Sequence, residues 1–407
     1  EDGLLRLDEI VQHSEQGWHE HHRVIMTDEG QRTSRNTYNN GVADVLKVKT
    51  DMGLEITGTP NHKVKVMTSQ GTQWRRLDQL QTGDAILVKL GQHQGRLQAL
   101  KKPEYHHHNQ DVVSLPSVLD EELAFFLGYF MGDGFMTIKP RDWRLGVSVA
   151  HSSYLMEEMP LLIERLFSGA NLRMQSKPND ASVTFVISNR AVKEFLKLNG
   201  FDKARSEHVC VPRLIRQSSP EVVGAFLRGL FEADGGLSHG YPMLISTSKR
   251  LIDEVTTLLI GLGCPVKVEQ QPTNKDRYGT KPLWRLRVHS FRGLDSWRTN
   301  IGCDTRSRFM ACFELEPDMQ REYSYVLPHP EYWLQPVLSG TQLSFGQRVH
   351  STDSKLRRKL LRYTRGDRNL TLSAYTTLSQ THAEFATFAP PVNDSWFVFV
   401  DQVIPSC

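Results

Sequence analysis

The chain has 407 residues, of which 39% are hydrophobic and 23% charged, and its net charge is +3. That length allows two or three domains with ample core, and so small a charge excludes a chain held on nucleic acid by bulk electrostatics alone. No apolar run is long enough to span a membrane, and the opening residues do not read as a secretory leader.

Residues 1–95 carry short strand patterns: Gly41-Val-Ala-Asp-Val-Leu-Lys-Val-Lys-Thr50, Gly53-Leu-Glu-Ile-Thr57, His62-Lys-Val-Lys-Val-Met67 and Ala85-Ile-Leu-Val-Lys89. Turn signals at Asp51-Met-Gly53, Gly71 and Thr82-Gly-Asp84 separate them, so this region is predicted to be an all-β module. Residues 96–118 form a polar linker, and His106-His107-His108 within it reads as loop rather than as a metal site.

Two segments then say nearly the same thing. Phe126-Leu-Gly-Tyr-Phe-Met-Gly-Asp133-Gly134 and Leu227-Arg-Gly-Leu-Phe-Glu-Ala-Asp234-Gly235 each pair an apolar helical run with a terminal Asp-Gly, preceded by Glu121-Glu122 and Glu221. The glycine after each aspartate suits a left-handed residue that stops a helix. An acid in the last helical turn opposes the helix dipole, and its repetition points to a cation shared by Asp133 and Asp234. Gly128 with Gly132, and Gly229 with Ala233, give each helix a strip of small residues along which two backbones approach. Paired along those strips, the helices bring the two carboxylates side by side, where they repel unless protonated or bridged by metal. Hard oxygen ligands favour Mg²⁺, completed by water and substrate phosphate. That layout suits metal-assisted phosphodiester cleavage.

The repeat runs on. Leu145-Gly-Val-Ser-Val-Ala150 and Pro242-Met-Leu-Ile-Ser246 follow the two segments, then helical stretches from Ser153 and Ser248. Thr184 to Gly200 in turn parallels Arg285 to Gly302. Two similar α/β halves, 119–215 and 216–320, would be related by a pseudo-twofold axis that matches the approximate symmetry of a DNA duplex. On these motifs, residues 119–320 resemble a single-chain, double-motif LAGLIDADG homing endonuclease. The resemblance implies that Asp133 and Asp234, with the carbonyls of Gly132 and Ala233 just before them, hold Mg²⁺ or another divalent cation and cut both strands of a long DNA target. It also implies that a curved sheet from each half reads the major groove.

The flanks carry a second resemblance. Gly53-Leu-Glu-Ile-Thr-Gly-Thr59-Pro-Asn-His62 resembles the Thr-x-x-His block of intein and hedgehog-type (Hint) self-processing domains. Asp394-Ser-Trp-Phe-Val-Phe-Val-Asp-Gln-Val-Ile404 resembles the returning strand of the same domain, residues 390–407. In protein splicing a Cys or Ser attacks the preceding carbonyl, a His protonates the leaving nitrogen and a Thr hydroxyl hydrogen-bonds nearby; His62 and Thr59 match the latter two. The fold expected overall is a multidomain α+β protein, an all-β Hint-like domain interrupted by a pseudo-twofold α/β endonuclease. It would be cytoplasmic and monomeric, with double-stranded DNA and the flanking host segments (exteins) as partners and no membrane.

Two departures qualify the resemblance. An intein opens with Cys or Ser and ends with His-Asn, whereas Glu1-Asp-Gly3 resembles a stretch a little way inside one and Pro405-Ser-Cys407 stops short, so the chain as written is not expected to splice. Family members often carry a lysine three residues before a proline after the first half; that place before Pro212 is Val209, with Lys203, Arg205 and His208 nearby. The alternative reading is therefore a splicing element whose endonuclease is degenerate, binding DNA without cutting it. A pure nucleic-acid binder is the third, and the splicing flanks argue against it.

Basic residues expected to meet DNA are Lys139, Arg141 and Arg144 after the first motif, then Lys203 and Arg205. In the second half they are Lys275, Arg277, Lys281, Arg285 and Arg287, then Arg306 and Arg308. Arg285, Arg287 and His289 alternate on one strand face, a phosphate-contacting or simply solvated surface. Residues 321–389 belong to neither repeat. Lys355, Arg357 and Arg358 open a basic run from Lys355 to Arg368 whose Leu356, Leu360 and Leu361 give it an apolar stripe. This helix either adds DNA contacts or closes the gap between domains. Cys210, Cys264, Cys303, Cys312 and Cys407 lack paired metal spacing and read as reduced thiols.

Overall fold

The computed structural model describes residues 2–11, 15–104, 113–139, 141–176, 180–203, 205–272, 281–315, 325–334, 351–381, 385 and 394–406. His106–His108, Lys275, Arg277 and Cys407 lie outside the described residues. The chain divides into two compact units, residues 1–39 with 91–315, and residues 40–90 with 316–407.

In the first unit the repeat becomes two copies of one α/β motif. The first copy runs α1 (Glu121–Asp133), β1 (Gly134–Met136), β2 (Arg144–Ala150), α2 (Leu155–Leu166), β3 (Leu172–Ser176), β4 (Ser182–Ser188) and α3 (Arg190–Leu198). The second runs α4 (Pro220–Asp234), β5 (Gly235–Ser238), β6 (Tyr241–Ser246), α5 (Lys249–Gly261), β7 (Val266–Gln271), β8 (Leu283–Val288) and α6 (Ser290–Asn300). Their sheets have the same strand order, β1-β2-β4-β3 and β5-β6-β8-β7, with every neighbouring pair antiparallel.

Local chemistry sets where the helices begin. Asp120 accepts from Leu123 N at 2.9 Å to cap α1, Ser248 accepts from Leu251 N at 3.2 Å to cap α5, and Pro220 occupies the first turn of α4. The core alternates with the strands. Leu145, Val147 and Val149 are fully buried on β2, as is Leu286 on β8, while Arg285 and Arg287 between such positions reach outward. Aromatic rings lock each half: Phe126, Phe167 and Phe195 meet edge-on in the first, and Phe231, Trp297 and Phe309 cluster in the second.

Residues 2–39 were expected to continue the all-β module of 1–95, and here the structure differs. They belong to the first unit, because buried Arg216, 2% exposed, requires an anion and Glu9 supplies it through bonds of 2.8 and 3.0 Å. The Arg216 side chain, with the Arg6 backbone N–H and the Arg213 charge, holds the Glu9 carboxyl down at about 2 against the effect of burial. Leu4 N donates to Arg216 O at 2.7 Å alongside. Gly17–Thr27 and Gly30–Asn39 then form an antiparallel hairpin that the sequence reading missed.

The second unit holds a six-stranded antiparallel sheet in the order Glu55–Gly58, Val45–Thr50, Ser395–Ser406, Ala85–Lys89, Lys63–Thr68, Gly71–Arg76. The predicted returning strand lies inside this sheet, between strands from residues 45–50 and 85–89. Helices α7 (Ser351–Thr364) and α8 (Leu372–Thr381) belong to the same unit.

Candidate active site

Helices α1 and α4 touch backbone to backbone. A Cβ added at Gly128 would lie 1.9 Å from Phe226 O, and one at Gly229 would lie 2.0 Å from Phe125 O, so the contact is reciprocal. Further along, a Cβ at Gly132 would sit 2.5 Å from the Ala233 Cβ and 3.3 Å from an Asp234 carboxyl oxygen. The small-residue strips therefore set the helix separation, and Asp133 and Asp234 end their helices next to each other.

The glycines after the aspartates act differently from expectation. Gly134 and Gly235 have φ of −91° and −84°, extended backbone rather than left-handed. Their lack of a side chain matters because a Cβ would press within 2.3 Å of Phe130 O and 2.5 Å of Phe231 O as each helix passes directly into a strand.

Both aspartates open to solvent on one side and are crowded by protein on the other. Crowding raises the Asp133 carboxyl above its usual range, against the pull of Lys203 and Arg308. The same crowding, reinforced by the negative charge of Asp133, lifts Asp234 to about 6 while Lys203 opposes it. Burial also raises the Tyr129 phenol, with the Asp133 charge adding to it.

A cation meets each acidic helix end. Lys203, in the loop after α3, donates to Gly132 O at the end of α1, and burial lowers its ammonium below the usual lysine range while both aspartates hold it up. Arg308, after α6, donates to the carbonyls of Phe231, Glu232 and Gly235 at 3.1, 2.8 and 2.9 Å around the end of α4. Ser307 bonds the buried Glu232 carboxyl beside it. Sequence reasoning looked for the lysine at Val209, noted Lys203 nearby, and placed Lys203 and Arg308 among the DNA contacts. Val209 is 3% exposed and its carbonyl accepts from Ser248, so it faces the core. No spacing rule marks Lys203, because a loop places it; its proximity to the first acidic helix exists only in three dimensions.

Among the described residues no group of three or more His, Cys, Asp or Glu is set to hold a metal ion. Two crowded carboxylates with neighbouring helix-end carbonyls nevertheless fit a hard dication that draws its remaining ligands from water and phosphate.

The other expected DNA contacts separate into engaged and open groups. Arg306 is taken up by Asp304 at 3.0 Å, by Glu158 at 3.0 Å and by the Tyr154 ring, so it ties the two halves together instead of facing outward alone. Arg144 is held by Asp142, Arg285 by Glu269 and Lys281 by Glu207. Lys139, Arg141 and Arg205 are exposed. Arg287 lies opposite Lys267 across β7 and β8, a like-charged pair on the outward face. His289 does not extend that basic face: burial, with Arg287 and Lys267 next to it, lowers its pKa to about 4. Lys267, and Arg173 and Gln175 on the first sheet, are outward polar residues absent from the sequence-based set.

In the second unit Thr59 donates to Asn61 Oδ1 at 2.7 Å, and His62 N closes a turn on Thr59 O at 2.9 Å. The two residues are thus adjacent, with the His62 side chain exposed. Lys355, Arg357 and Arg358 are exposed on α7.

Residues 221–302 match the family described as the LAGLIDADG-like domain, so the chain contains such a domain in its second half-repeat. The replication factor C small subunit of Thermococcus kodakarensis is 25% identical over 281 residues, covering 68% of this chain and 28% of that protein. An A-type ATP synthase subunit of Pyrococcus abyssi is 28% identical over 324 residues, covering 76% of this chain and 30% of that protein. The chain thus spans less than a third of the length of these relatives. Among solved structures, the homing endonuclease I-DmoI in complex with DNA and Mn is 19% identical, covering 45% of this chain and 97% of that one, with a TM-score of 0.33.

Proposed function

We propose that the chain is a site-specific DNA endonuclease of the LAGLIDADG type, carried within a Hint-type protein-splicing domain. The observation that carries this reading is the pair of aspartates ending two helices in backbone contact, each helix end met by a cation. A Mg²⁺ ion held by Asp133 and Asp234, with the carbonyls of Gly132 and Ala233 beside them, would activate water and stabilise charge on the scissile phosphate. Lys203 would hold positive charge near both carboxylates and steady the phosphate as negative charge builds on it. Arg308 would keep the α4 end neutralised, and so keep Asp234 in place. The outward faces of the two sheets, through Lys139, Arg141, Arg173, Gln175, Lys267 and Arg287, would position the duplex.

The splicing context is supported by the sheet that the returning strand completes around Thr59 and His62. It is supported also by relatives as different in kind as a replication factor and an ATP synthase, each matching over less than a third of its length, as an inserted element would. The test is cleavage of a randomised duplex library with Mg²⁺ beside an Asp133→Asn/Asp234→Asn control. Cuts that vanish in the control are expected. DNA bound equally by both proteins and cut by neither would overturn the nuclease and leave a splicing element with a degenerate endonuclease.

A further inference from the structure

Helix α7 presents two unlike faces. Leu360 and Tyr363 are buried, at 1% and 4% exposure, and Leu356 is half-buried on the same side. Lys355, Arg358, Lys359 and Arg362 stand at i, i+3, i+4 and i+7 and share the adjoining, exposed face. Past the helix the chain turns at Gly366, with φ of 77°, and Arg368 N donates to Arg362 O at 3.2 Å, returning a fifth cation to the last helical turn. These five side chains and Tyr363 line a shallow recess of about 200 Å³.

Among the described residues, none of the five makes a side-chain ion pair or hydrogen bond. Elsewhere the chain pairs its cations freely, as with Arg75 and Asp84, Arg144 and Asp142, or Arg250 and Glu254. Like charges at helical spacing destabilise a helix, so an unrelieved cluster of this kind is a stability cost that an anionic ligand would offset. The exposed face has no apolar residue to enter a lipid interface. Its one aromatic ring is buried, which removes the stacking platform that single-stranded nucleic acid uses. A row of fixed phosphates is the ligand that remains, and arginine and lysine meet phosphate oxygens through short charge-assisted bonds.

We propose that Lys355, Arg358, Lys359, Arg362 and Arg368 form a second, sequence-independent binding site for the phosphate backbone of duplex DNA. The inference rests on the chain acting on DNA, and adds a contact made by the unit that lacks the paired aspartates. It raises affinity by tethering, because one chain then holds one duplex at two places.

The test is a salt series of equilibrium binding to a long random-sequence DNA duplex, with the full chain and Ca²⁺ in place of Mg²⁺. In a Lys355→Ala/Arg358→Ala/Arg362→Ala/Arg368→Ala variant, the slope of log affinity against log salt should become shallower by roughly 3 to 4, about 0.9 for each phosphate no longer neutralised. An Arg358→Lys/Arg362→Lys variant, which keeps the charge, should retain the original slope. All these positions are exposed and unbonded, so an unchanged circular dichroism spectrum is expected. An unaltered slope with the duplex still bound would overturn this site alone. A full chain with no affinity for any duplex would overturn it together with the endonuclease reading. A slope change seen with single-stranded RNA but not with duplex DNA would overturn the choice of ligand.

Discussion

At the scale of single residues, the decisive fact is that two carboxylates share a crowded helix junction. Asp234 holds its proton to about pH 6 in the folded chain, against an ordinary carboxyl near 3.8 when unfolded. Above pH 6 the folded state therefore carries an unfavourable charge; as pH falls below 6 the folded state takes up a proton first, and the cost shrinks until it is gone near 3.8, where the unfolded chain is protonated too. In EDTA, Asp234→Asn should thus raise the thermal midpoint at pH 8 and lose that advantage progressively as pH falls from 6 toward about 4; in Mg²⁺ it should abolish cleavage. A variant that melts lower than the parent at pH 8 would contradict the repulsion. Lys203→Met removes the cation that opposes the shift, so it should slow cleavage roughly a hundredfold and move the titration of Asp234 upward, readable by NMR of the side-chain carboxyl. The aspartates were legible because a repeated Asp-Gly motif is a pattern in one dimension. Lys203 and Arg308 were visible only as basic residues in the right neighbourhood, because loops deliver them and spacing alone did not say which cation would reach a helix end.

At the scale of elements, the two long helices are set by what they lack. Gly128→Ala or Gly229→Ala forces a methyl against a carbonyl of the partner helix, and the helices must part. Each should cost about 1–3 kcal/mol, the usual range for overpacking, and should depress cleavage by separating the aspartates. Gly236 is the contrast: a Cβ there meets only the Met243 methyl at 3.4 Å, so Gly236→Ala should leave denaturant stability within about 0.5 kcal/mol. The sequence displayed these strips as small residues four apart, and the alternation of Leu145, Val147 and Val149 marked β2. It misled at Gly134 and Gly235, where glycine suggested a left-handed stop; the residue is small because the strand starts against the helix's own carbonyl. The Gly17–Asn39 hairpin escaped notice for a different reason. Its half-buried positions, such as His19, His21 and Arg23, are polar while Trp18, Val24 and Ile25 are exposed, so no apolar alternation marked its strands.

At the scale of the whole molecule, the sheet of the second unit is assembled from ends of the chain that are hundreds of residues apart. Ser395–Ser406 pairs with Ala85–Lys89 along its first half and, past an irregularity between Val400 and Gln402, with Val45–Thr50 along its second. It also buries Trp396, Phe397, Val398 and Val400. Each such side chain contributes about 1.5–3 kcal/mol on burial, so the strand's share is about 6–12 kcal/mol, comparable to the total stability of an ordinary domain. Removing residues 395–407 therefore severs the sheet into fragments that cannot hold their own core, whereas the α1–α4 contact and both four-stranded sheets use none of those residues. Hydrogen exchange on the truncated chain should show amides of 45–50, 63–68 and 85–89 losing protection while those of 121–133 and 220–234 keep it, and calorimetry should lose one transition. Protection that fell equally in both regions would mean that the two units share one folding transition. Protection that survived in 63–68 would mean that the central strand is dispensable, and the sheet would owe its stability to the Lys63–Arg76 hairpin instead.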